Sequence, residues 1–146
     1  QVYTFFTSRR FEAARLRMLL RRIGIDPYYT FVTKGKEETG DYRMPVARLL
    51  QEQKEEARLL PGIRRTDEVV YNVPRLGKNH IRAYQHRNLL SIEPNGVRVY
   101  EFHPWEKNII QRDNYIGGDV QILDYLNRLA AIGEDPYDYR SIWYYY

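Results

Sequence analysis

The sequence predicts an α/β fold: a β-α-β-α-β run followed by a hairpin and a C-terminal helical extension. Three observations carry this. Residues 2–7, 27–33 and 68–72 are rich in aromatic and β-branched side chains, which favour strands. The segments between them carry apolar residues at helical spacing and join the strands through short connections, as a parallel sheet requires. Pro94-Asn95-Gly96 then separates two further strand-like runs and marks a hairpin turn.

Taken in order, residues 2–7 form the first expected strand and Ser8 an expected helix N-cap. Residues 11–23 follow with Leu16, Leu19, Leu20 and Ile23 on one helical face, and Gly24 closes the helix. Residues 27–33 are the second strand, and residues 34–41 a polar loop punctuated by glycine. Pro45 suits the start of a second helix, because its missing N–H would find no partner there. Leu49, Leu50, Gln53, Ala57 and Leu60 share one face of it, and Pro61-Gly62 ends it. Residues 68–72 are the third strand. The hairpin spans residues 89–93 and 97–102, and His103-Pro104-Trp105 breaks its pairing. Residues 119–132 read as an amphipathic helix with Val120, Leu123, Leu126, Leu129 and Ala130 on one side, closed by Gly133. The tail from Tyr137 to Tyr146 is aromatic, and such residues are enriched at interfaces, so it is expected to pack on a neighbouring domain or subunit. The chain thus divides into residues 1–88, the strand–helix units, and residues 89–146, the hairpin and extension.

A chain of 146 residues fits one ordinary domain, and 43% hydrophobic with 29% charged residues is a globular composition. No apolar run approaches ~20 residues, so no membrane partner is expected, and the site of action is read as cytoplasmic. Cysteine is absent, which excludes disulfides, thiolate nucleophiles and cysteine-ligated zinc or iron–sulfur clusters within these residues. His80, His86 and His103 lack metal-ligand spacing, so no metal site is expected. The net charge of +4 raises a nucleic-acid reading, centred on the arginines from Arg9 to Arg22. Acidic residues interleave with the basic ones elsewhere, so a solvated helix face is preferred and no nucleic-acid partner is expected. The absence of an initiator methionine leads to the expectation of a segment from a longer chain.

The chemistry concentrates between residues 27 and 78. Pro27-Tyr28-Tyr29-Thr30-Phe31-Val32-Thr33-Lys34 ends a strand at a lysine. Val69-Val70-Tyr71-Asn72-Val73-Pro74-Arg75-Leu76-Gly77-Lys78 ends another at an amide and delivers a second lysine through a Pro/Gly loop. Strand ends of parallel barrels are where active sites are built, and a lysine so held is a Schiff-base candidate. Its alternative reading is an exposed loop lysine.

These runs, together with Asp41-Tyr42-Arg43-Met44-Pro45-Val46 and Leu59-Leu60-Pro61-Gly62, resemble the C-terminal half of the lysine and glutamate 2,3-aminomutases. That family combines S-adenosylmethionine, a [4Fe-4S] cluster and pyridoxal phosphate. The resemblance implies the C-terminal part of a partial (β/α) TIM-like barrel, covering residues 2–102. It implies Lys78 as the lysine that holds pyridoxal phosphate as an internal aldimine, in a loop less rich in glycine than that of the lysine enzymes. The lysine-specific members carry two aspartates where this chain has Lys34 and Asn72. A cation with an amide attracts a carboxylate where two aspartates repel it, so the pattern is closer to the glutamate branch. The implied reaction moves the amino group of glutamate from C2 to C3. S-adenosylmethionine and the cluster would be bound by the part of the enzyme upstream, and the full-length enzyme is expected to be a homo-oligomer. Tyr28 and Tyr29 are read as packing residues, one ring placed to border the cofactor. Two alternatives stand beside this: an aminomutase of another substrate, and a degenerate cofactor-binding or interaction module.

Overall fold

A computed structural model describes residues 2–33, 40–62, 68–104 and 113–146. The N-terminal run does not form the expected strand. Val2 makes one parallel bridge to Phe31, Tyr3 N donates to Phe31 O at 2.8 Å, and the chain then tightens into a 3-10 turn at Phe6–Ser8. Ser8 is not a helix cap. Its buried hydroxyl lies 2.6 Å from Phe5 O and 2.7 Å from the Tyr125 hydroxyl. Helix α1 (Glu12–Arg22) instead follows Phe11, held at φ 64°, and the Phe11 N–H is satisfied by a Glu52 carboxylate oxygen at 2.8 Å. The expected apolar face of α1 is not the buried one. Ala13, Ala14 and Arg17 face inward, while Leu19 and Ile23 are exposed. Small alanines let the helix approach the sheet closely, and Arg17 reaches past them to the Glu56 carboxylate.

Strands β1 (Tyr29–Thr33) and β2 (Glu68–Val73) run parallel, as the sequence predicts, joined through α2 (Val46–Leu59). Strand β3 (Gly77–His80) then returns antiparallel to β2, giving the order β1-β2-β3. Leu49 and Leu50 of α2 are buried as expected, but so are Arg48, Gln51, Glu52 and Glu56. Arg48 is fully buried, donating to Ser8 O at 3.0 Å and to Gln51 Oε1 at 3.2 Å, and pairing with Glu52. Burial alone would lower the affinity of this guanidinium for its proton, but Tyr3 and Glu52 reverse that and hold it above its ordinary range. The same burial pushes the Tyr3 phenol well up. The N-terminus of α2 lacks a local side-chain cap, because Pro45 precedes it. Asp119, distant in sequence, supplies one: its Oδ2 accepts from Val46 N at 2.7 Å.

A second sheet contains β4 (Arg87–Ile92), β5 (Arg98–Phe102) and β6 (Tyr115–Gly118), all antiparallel in the order β4-β5-β6. The hairpin turn falls where Pro94-Asn95-Gly96 predicts, and β6 is an addition to the sequence reading. Gly96 combines φ +84° with a close approach, since a Cβ there would lie 2.7 Å from the Trp143 ring and 2.8 Å from Ile122. Helix α3 (Ile122–Ala131) buries Ile122, Tyr125, Leu126 and Leu129, with Leu123 turned outward rather than inward. The aromatic tail folds back as a 3-10 helix, Pro136–Tyr144, in which Tyr139 and Ile142 are fully buried against the chain itself. Gln51 donates to Tyr139 O at 3.1 Å and to Ser141 Oγ at 2.8 Å, fixing the tail to α2. Of its other aromatics, Tyr145 is half-buried and Tyr137, Trp143, Tyr144 and Tyr146 remain exposed.

One cluster of buried side chains draws on both sheets, from Tyr3 and Val32 to Phe102 and Ile142. Among the described residues the strands form two separate three-stranded sheets, and no barrel closes. No helix is long and apolar enough to cross a membrane among the residues described.

Candidate functional site

The first sheet has two unlike faces, and period-2 alternation decides which residue lies on which. Thr30, Val32, Val69, Tyr71 and Val73 are buried against the core. Tyr29, Phe31, Thr33, Glu68, Asn72, Lys78 and His80 lie on the other face and are half-buried or exposed. The site forms where three strands meet on that face. Thr33 is in register with Asn72, and Asn72 with Lys78, so the ends of β1 and β2 and the start of β3 present one row.

Lys78 reaches this row through a tight turn rather than an extended loop, so the sequence-based placement past a strand end is corrected to a hairpin strand. Leu76 N donates to Val73 O at 3.2 Å, with Pro74 at the second position of the turn and Arg75 at the third. Arg75 has φ 65°, a conformation for which glycine or asparagine is the usual choice at that position. Gly77 follows at φ +71° and starts β3.

The Lys78 amine is exposed, and among the described residues it makes no ion pair. Its Nζ donates to the Tyr29 hydroxyl at 2.6 Å and lies 4.7 Å from the centre of the same ring. Tyr28 packs edge to face on Tyr29, centroids 4.7 Å apart, and is itself 82% exposed. The tyrosine pair is therefore not core packing: Tyr29 holds the lysine, and Tyr28 stands beside it in solvent. Lys34, the second half of the expected specificity pair, lies outside the described residues. Thr33, just before it, donates to Tyr42 O at 3.1 Å. His80 approaches Glu68 at 3.5 Å. Among the described residues no group of three or more metal-ligating side chains occurs.

The arginines considered for nucleic acid are engaged internally in part. Arg9 meets Glu12, Arg10 meets Glu55 and Asp138, and Arg17 meets Glu56.

Compared with known proteins, the chain is 57% identical over 145 residues to an uncharacterized KamA family protein of Methanocaldococcus jannaschii. The match takes in 99% of the chain and 23% of that relative, so the chain spans about a quarter of its length. No family model matches the chain, and no solved structure matches it.

Proposed function

We propose that the chain is the C-terminal part of an aminomutase of the 2,3-aminomutase type, supplying the cofactor lysine and part of the substrate-selecting surface. The observation that carries this is the row formed by Asn72 and Lys78, on the face of the sheet opposite its buried positions. The similarity to a KamA family protein and the resemblance of residues 27–78 to the aminomutases support the same reading. The exposed apolar side of α1, with Met18, Leu19 and Ile23, suits a segment that packs against more protein in a longer enzyme.

The residues present suit the aldehyde end of pyridoxal phosphate: a primary amine open to solvent, free of an ion pair among the described residues, and held by the Tyr29 hydroxyl. When bound, that cofactor would supply an electrophilic carbon for an amine and a ring that spreads unpaired spin. Lys78 offers the nitrogen. Asn72 presents an amide to one end of the substrate, and Lys34 adds a cation that favours a carboxylate, hence glutamate, over an ammonium. Anchoring that end turns the remaining carbons toward the radical source, a positioning role. S-adenosylmethionine and the [4Fe-4S] cluster belong to the upstream part of the enzyme, because this chain has no cysteine to ligate iron.

The test is chemical trapping. The chain is incubated with pyridoxal phosphate, reduced with borohydride, digested and mapped by mass spectrometry. The reading expects the stable adduct on Lys78, and its loss in Lys78→Ala. An adduct spread over surface lysines, with Lys78 contributing no more than the rest, would overturn it.

A further inference from the structure

We propose that Tyr29 is a positioning residue for Lys78, holding its amine above the free face of the sheet at the point where it meets an aldehyde of the pyridoxal phosphate class. The inference rests on the reading of Lys78 given above. It goes beyond it in assigning the restraint on the lysine to one side chain.

Lys78 stands on β3 and Tyr29 at the start of β1, with β2 between them. The bond between them therefore spans the middle strand. In register, Lys78 is opposite Asn72 and Tyr29 is opposite Glu68, so the β2 residue beneath the bridge is Val70. Val70 shares that face and is only 2% exposed, flanked in register by Phe31 on β1 and His80 on β3.

A free lysine side chain is rich in rotamers, and that freedom must be given up when its nitrogen is fixed for reaction. One contact already fixes it here: the Tyr29 hydroxyl accepts an N–H bond at 2.6 Å, with the nitrogen 4.7 Å from the ring centre at the hydroxyl end of the ring. A hydroxyl suits this role better than a carboxylate. It accepts an N–H from the amine in either protonation state, and adds no charge that would pin the protonated form. With one N–H directed at Tyr29, the lone pair of the neutral amine is left free to face the aldehyde. With such an aldehyde bound, Lys78 Nζ would add to its carbonyl carbon and give up two protons, with which the carbonyl oxygen would leave as water. Tyr28, edge to face against Tyr29, holds the ring in place.

The experiment measures the rate of borohydride-trapped adduct formation at Lys78 over a range of pyridoxal phosphate concentrations, in the parent chain and in Tyr29→Phe. Phenylalanine keeps the ring and removes the hydroxyl. The expected result is a limiting rate lower on the order of tenfold, an unchanged half-saturating concentration and an unchanged melting temperature. Tyr29→Leu, which removes the hydroxyl and the ring alike, lowers the limiting rate at least as much. An unchanged limiting rate in Tyr29→Phe overturns the proposal, and so does a raised half-saturating concentration at unchanged limiting rate, which would make Tyr29 a cofactor contact. Absence of the Lys78 adduct in the parent chain would instead remove the reading of Lys78, and the proposal with it.

Discussion

The two faces of the first sheet are built from alternate residues of the same strands, yet they answer to different demands. On one side Val69, Tyr71 and Val73 are buried against α2 and the core; on the other, Asn72 lies half-open in a row with Lys78. On the buried side the deepest charge, that of Arg48, is answered from several directions. Arg48 has Glu52, Gln51 and Ser8 O, and Tyr71 donates to Met44 O at 2.7 Å. The free side leaves its groups available. Asn72 makes no side-chain hydrogen bond with the described residues, and Lys78 makes one that a ligand can replace. Stability and chemistry are thus divided between adjacent positions in sequence. A one-residue slip of β2 would exchange them.

The sharpest way to break this contrast is Arg48→Ala, which leaves Glu52 buried without its partner. The loss expected is about 3–5 kcal/mol, read from urea denaturation. Replacing both partners by apolar residues, as Arg48→Met with Glu52→Leu, recovers most of it, because no buried charge is then stranded. Recovery of none would mean that the network, rather than its unpaired remainder, is the stabilising element.

Alkaline pH probes the same buried side with a smaller effect. Burial raises the phenols of Tyr3, Tyr71, Tyr100, Tyr125 and Tyr139, with the Asp119 charge adding to the shift at Tyr71 and Tyr100. A raised folded value means that the native state binds protons more tightly than the unfolded chain. The stability it contributes is whole below the unfolded tyrosine value, about 10, and is lost as pH rises beyond it. Urea midpoints should hold steady up to that pH and fall above it, with tyrosinate absorbance rising in step with unfolding. Tyrosinate that appears for these residues without loss of tertiary signal would contradict their burial.

The smallest effect on stability is expected from Asn72→Asp, on the free side: within about 0.5 kcal/mol. On the proposed reading, combining it with Lys34→Asp in the longer enzyme abolishes turnover of glutamate. Glutamate turnover that survives the pair removes both residues from the selecting surface.

What the sequence revealed follows the range of the interactions involved. The elements α1, β1, α2, β2, the hairpin and α3 announce themselves through local periodicity and through glycine and proline, and the structure places them within a few residues of their expected bounds. Strand β3 did not, because Gly77-Lys78-Asn79-His80 has no strand-like composition, and pairing is imposed on it by the turn before it. The Asp119 cap on α2, the inward Arg17 and Arg48, and the docking of Tyr139 against α2 join residues far apart in sequence, and no local pattern records such partners. At the site, the row was legible in part. Asn72 and Lys78 stood out through their turn, while the bond from Lys78 to Tyr29 depends on a strand order that only the folded chain reveals.

The turn at Pro74 and Arg75 has a consequence for how the site comes into being. Asn72 and Lys78 are joined by a short, stiff stretch, so bringing them together closes a small loop at little entropic cost. Hairpins of this kind form in about 1–10 μs. The α2 cap, by contrast, waits for Asp119 to arrive from the far end of the chain. The lysine and its amide neighbour therefore make a preassembled unit early in folding, and the slower steps fasten it to the body of the protein without having to set its geometry.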